Sequence, residues 1–141
     1  VVKRYVHEDG SAWMHSHIFT GKNHLLVSQI MPTEVMSAIY RQYRSGIYQE
    51  RDADAIRLWL NRHVRREYHQ VILSPEIIGL SQSLLKQYAL RAYDSIQLAS
   101  ALFVHHTAQQ SGAKVIFITS DIRLVQFAQH EKLPVINPQN P

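Results

Sequence analysis

The chain has 141 residues, 45% of them apolar, which is enough to close a core without covalent staples. It has no cysteine, so disulfide frameworks and thiolate metal sites are excluded, and no stretch approaches the ~18 apolar residues of a membrane span. A formal charge of +4 and a pI of about 9.5 favour polyanionic partners, and the composition as a whole predicts one compact cytoplasmic domain over residues 1–141 with no membrane association.

In chain order, Ser11 is placed to cap a short helix carrying Trp13, Met14 and Ile18, and Gly21 to end it. His24 to Ser28 reads as a short buried strand. Pro32 opens a helix whose apolar residues Val35, Met36, Ile39, Tyr40, Tyr43 and Ile47 recur at three and four, with Gly46 near its end. A second helix is predicted from about Asp52 to Tyr68, with Ile56, Trp59, Leu60, Val64 and Tyr68 on its inner stripe. Seven of the fifteen basic residues fall in this region (Arg41, Arg44, Arg51, Arg57, Arg62, Arg65 and Arg66), which predicts a basic helical surface.

Gln70 to Leu73 is the next predicted strand. Ser74-Pro75-Glu76 then supplies an N-cap, a proline at the first helical position and an acid in the first turn of a helix running to about Ala89. Asp94 and Gln97 have capping-box spacing at the head of a helix that runs to about Gln110, closed by Gly112. Lys114 to Thr119 is the clearest predicted strand, Asp121 begins a helix to about Glu131, and Leu133 to Ile136 is a short last strand. Apolar strands separated by helices predict an α/β fold, a three-layer α/β/α sandwich with a mainly parallel sheet.

Glu34, Asp94 and Asp121 each sit where an apolar segment gives way to a helix. Each position also suits a carboxylate for local reasons, through capping or the helix dipole. Taken together they point to a hard divalent cation, because carboxylate oxygens are the ligands Mg²⁺ and Mn²⁺ prefer. Ligands of open parallel sheets gather beyond the carboxyl ends of the strands, and the turn holding Asp121 falls there.

Leu90-Arg91-Ala92-Tyr93-Asp94-Ser95-Ile96-Gln97-Leu98-Ala99, Val115 to Leu124 and Leu133 to Pro138 resemble the PIN-domain family of metal-dependent ribonucleases, and within it the VapC-type toxins of toxin–antitoxin pairs. Tyr5 to Trp13 resembles the family's first connection, and Glu34 matches its early-helix acid. The resemblance implies that Glu34, Asp94 and Asp121 bind Mg²⁺ or Mn²⁺ and that Thr119 supports the site. It further implies hydrolysis of RNA, a cognate antitoxin around residues 33 to 66, and a homodimer. The strand and catalytic aspartate that open the family pattern would precede the position matching Val1, and residues upstream are expected to supply them. Alternatively, Val1 to Val6 acts as a strand and the metal site is incomplete, which would leave a PIN-like module that binds RNA or protein without cutting.

Other chemistries are poorly matched. His15 and His17 fall on different sides of a helix, and the adjacent His105 and His106 diverge by about 100°. The five glycines are scattered, which excludes phosphate loops, and no serine occupies a nucleophile elbow. Tyr40, Tyr43, Trp59 and Tyr68 are expected to pack in the core.

Overall fold

The computed structural model describes residues Val1–Pro141, and the chain divides into two compact units, Val1–Gln70 and Val71–Pro141. Its composition is mixed α/β and mostly helical, with short strands. Two strand pairs are present, Leu25–Ser28 with Tyr68–Val71 and Phe117–Ile118 with Val135–Ile136.

The first unit opens with a 3₁₀ turn over Val2–Arg4, so Val1 to Val6 does not form the strand considered as an alternative. Helix α1 (Ser11–Trp13) widens into a π turn over Met14–Ile18, and Gly10 rather than Ser11 is its cap. The Ser11 hydroxyl instead accepts the Glu8 N–H and donates to the Val6 carbonyl, bracing the preceding loop. Strand β1 (Leu25–Ser28) leads to α2 (Met31–Arg44), α3 (Glu50–Arg66) and β2 (Tyr68–Val71). Helix α2 closes on a left-handed Gly46, whose N–H reaches the Tyr43 carbonyl while that of Ile47 reaches Gln42, both at 3.0 Å. This leaves Ile47 outside the helix and 67% exposed, not on its core stripe.

Helix α3 starts two residues earlier than predicted because Gln49 and Asp52 form a reciprocal capping box. The helix ends before Tyr68, which enters β2 and is buried. Burial of Ala53, Leu60 and His63 on α3 and of Met31, Val35 and Ile39 on α2 fixes the inner faces. Trp59 and Tyr40 each lie about 100° around the helix from Leu60 and Ile39. Thus Trp59 is 57% exposed, and Tyr40 and Tyr43 are exposed as well, contrary to the expected core packing.

The second unit contains α4 (Pro75–Gln87), α5 (Ala92–Gln110), β3 (Phe117–Ile118), α6 (Ile122–His130) and β4 (Val135–Ile136). The Ser74 hydroxyl caps α4 by accepting the Ile77 N–H. Strands β3 and β4 run parallel, with Phe117 opposite Val135 and Ile118 opposite Ile136. The predicted strand from Lys114 contracts to two residues because its only partner is equally short and begins after Pro134, which has no N–H to offer. The core joins Ile77 and Leu84 of α4, Leu98, Ala99 and Leu102 of α5, Leu124 and Ala128 of α6, and Leu133.

At the end of α6, Lys132 adopts a left-handed conformation (φ 59°). Its N–H reaches the Gln129 carbonyl, and that of Leu133 reaches Ala128. This is the same closure glycine serves at the end of α2, achieved with a residue that disfavours it. Leu133 thereby drops into the core.

Candidate functional site

Asp94 and Asp121 belong to the second unit and Glu34 to the first. Asp121 lies in the turn that leaves β3, beyond its carboxyl end, and caps α6. Its Oδ1 accepts the backbone N–H groups of Arg123 at 2.8 Å and Leu124 at 3.4 Å. The Arg123 guanidinium stands 3.7 Å from Oδ2, a partly exposed ion pair of small energetic weight. Thr119 holds this turn from behind: its hydroxyl accepts the Asp121 N–H at 3.2 Å, and its own N–H bonds the Ile136 carbonyl.

Asp94 is not the cap of α5. Arg91, in extended conformation, holds that place, and Asp94 is the third helical residue. The Asp94–Gln97 capping box accordingly does not form. Its half-buried carboxylate makes no hydrogen bond or ion pair, so both oxygens are available to a ligand.

Glu34 lies half-buried in the first turn of α2, near the positive end of the helix dipole. In neither unit do three or more His, Asp or Glu side chains gather closely enough to hold a metal ion. The donors have the right chemistry for Mg²⁺ or Mn²⁺, yet neither unit alone supplies the set of three.

Because a capping aspartate satisfies N–H groups that would otherwise lack partners, Asp121→Ala is expected to destabilise the protein by about 1 kcal/mol. Urea unfolding of the two proteins measures it. A change near zero would show that the cap contributes nothing here.

The first unit also carries a polar cluster that no local sequence pattern announces. Arg4 reaches the Tyr68 hydroxyl at 3.0 Å and Glu67 at 2.5 Å, and its guanidinium lies over the Phe19 ring. Tyr5 and His63 share a 2.8 Å hydrogen bond between Oη and Nδ1. Trp59, Ile56 and His15 join Arg4, Tyr5 and His63 around a shallow pocket of about 300 Å³. Burial pushes the Tyr5 phenol up. The hydrogen bond from Arg4 holds the Glu67 carboxyl below its usual range. The His63 imidazole is pushed down by burial, then by the charges of Arg4 and Arg62, with Glu67 opposing.

A histidine whose folded pKa lies below its unfolded value of about 6.5 binds fewer protons folded than unfolded as pH falls. Its stabilising contribution is therefore present above that unfolded value and is lost as pH drops toward the folded one. Urea unfolding from pH 7.5 down to pH 5 is expected to show this loss, and His63→Gln to flatten it. An unchanged slope in the variant would remove His63 as the cause.

The basic surface predicted from sequence is present: Arg41, Arg44, Arg51, Arg57, Arg62, Arg65 and Arg66 are all exposed. Arg62, Arg65 and Arg66 line a surface groove on α3 with Leu58 and Asn61. No helix is long and apolar enough to cross a membrane. Compared with models of known protein families and with curated protein sequences, the chain matches none.

Proposed function

We propose that the protein is an endoribonuclease of the PIN and VapC toxin kind, dependent on Mg²⁺ or Mn²⁺, with Glu34, Asp94 and Asp121 as the ion's ligands and Thr119 as their support. The observation that carries this reading is the Asp94 carboxylate, half-buried at the head of α5 with no protein partner. A carboxylate held that way loses hydration without gaining a hydrogen bond, and a cation offsets that cost. Asp121 follows the carboxyl end of a parallel strand, the end at which open α/β sheets bind their ligands, and this supports the reading.

When bound, the ion would supply the charge neutralisation and water activation that phosphodiester hydrolysis needs. The chain's own contribution is placement. The Arg123 and Leu124 N–H groups fix one Asp121 oxygen, and Thr119 fixes the turn that carries it. The arginines of α2 and α3 would hold RNA by its phosphates, with affinity that falls as salt rises. The same reading requires a three-layer α/β/α sandwich with a mainly parallel sheet, a cytoplasmic setting, a cognate antitoxin and a homodimer.

Incubation of the full chain with structured RNA tests the proposal. Cleavage in Mn²⁺, abolished by excess chelator and leaving 5′-phosphate and 3′-hydroxyl ends, is the expected result. No cleavage in Mg²⁺ or Mn²⁺ would overturn it. RNA retained intact under those conditions would support the second reading, a binding module that does not cut. That reading is favoured by the lack of a three-ligand cluster within either unit and by the exposed Trp59 among arginines on α3.

A further inference from the structure

Outside the acidic positions, one pair of side chains has the geometry of a chelate. His24 immediately precedes β1 and His69 lies on β2, two strands joined in one sheet. Burial of Val27 on one strand and Tyr68 on the other turns the inner face of each toward the core. Period-two alternation then sends His24, three residues before Val27, and His69, next after Tyr68, to the outer face, where both are exposed. Their ring centroids are 5.8 Å apart, with the ring planes inclined at 47°. Neither imidazole makes a hydrogen bond or ion pair, so no competing contact ties up its nitrogens.

Metal–imidazole bonds of about 2.0–2.1 Å place the centres of two rings on one ion roughly 4.5–5.2 Å apart at cis or tetrahedral angles. The observed 5.8 Å exceeds that range by about half an ångström, a gap that rotation of the two exposed side chains about their own bonds would close. We propose that His24 and His69 form a two-histidine site for a borderline divalent transition ion, Zn²⁺, Ni²⁺ or Cu²⁺, with water completing the coordination. Imidazole nitrogen suits these ions and not Mg²⁺, so the site is chemically separate from the carboxylates. Among the three, Cu²⁺ binds most tightly by the usual order for nitrogen ligands.

The site bridges β1 and β2, so occupancy clamps the pair. Binding to the folded state alone raises the unfolding midpoint in proportion to the logarithm of free metal. His105 and His106, also near one another at 6.0 Å between centroids, serve as an internal comparison. They are consecutive residues of one helix, and His105 is engaged with Gln109 at 3.0 Å.

Calorimetric titration of the full, tag-free chain with Ni²⁺ and with Zn²⁺ tests the site, together with proton–nitrogen correlation spectra of the histidine side chains. One saturable equivalent is expected, with His24 and His69 ring signals shifting together. His24→Gln and His69→Gln should each weaken binding at least tenfold, while His106→Gln leaves it unchanged. Absence of saturable binding overturns the proposal, as does binding that survives both strand substitutions or is lost with His106→Gln. Circular dichroism of each variant verifies that the fold is retained. RNA cleavage plays no part in the readout, so this site and the nuclease reading fail independently.

Discussion

Asp94→Asn is expected to lower Mn²⁺-dependent RNA cleavage by roughly a hundredfold or more, because the ion that would stabilise the developing charge loses one of its anionic ligands. The substitution is nearly isosteric and changes little else. Asp94 is neither a cap nor a member of any ion pair, so the folded state loses only a charge–dipole attraction in the first turn of α5, less than about 1 kcal/mol. Asp121→Asn is the companion measurement. Asparagine caps helices as well as aspartate, so the N–H groups of Arg123 and Leu124 keep an acceptor and stability is preserved. Loss of cleavage in both variants, with unfolding curves near wild type, would assign the effect to the negative charges and not to folding. Undiminished cleavage in either would remove that residue from the proposed site.

The largest stability effect is expected at Leu98. Its side chain is 0% exposed at the centre of the second unit's core, beside Ile77, Leu84 and Leu124. Leu98→Ala removes buried methyl groups and leaves a cavity that neighbours fill only in part, at a cost of about 2–5 kcal/mol. Against a typical domain stability of about 5–15 kcal/mol, such a loss is severe. Chemical denaturation should show the midpoint falling with little change in slope. Leu58→Ala on α3 provides the contrast: Leu58 is 64% exposed, and its removal should change stability by no more than about 0.5 kcal/mol. Equal effects at the two positions would contradict this burial pattern.

Helices were legible in the sequence where their signals are local. Ser74-Pro75-Glu76 carries its own start signal, Asp121 caps α6, and Gly46 and Gly112 both take left-handed conformations at helix ends. Strands were less legible, because a strand exists only with a partner. Lys114 to Ile116 have strand composition but lie outside the ladder that Val135 and Ile136 provide. The Gln49–Asp52 capping box moved the start of α3, and the apolar face of that helix settled one residue away from Trp59.

Among the candidate site residues, the roles of Asp121 and Thr119 in the turn follow from residues two or three positions apart, a range sequence can address. The spatial relation of distant acids is not encoded in that way. The same is true of the Arg4, Tyr5, His63 and Tyr68 cluster, whose members are separated by about sixty positions along the chain, and of His24 with His69. No periodicity or motif connects such pairs. Only the folded backbone does.

The left-handed turn at Lys132 has a reach beyond its own residue. By delivering Leu133 to the interior, it fixes where the final strand begins and hence which carbonyl meets the Thr119 amide. A slip of a single position there would invert the facing of Val135 and Ile136 and unseat the loop that aims Asp121. An awkward torsion angle eleven residues downstream thus serves as the indexing pin for the Asp121 carboxylate, and lengthening that turn by one residue would displace it with its own residue unchanged.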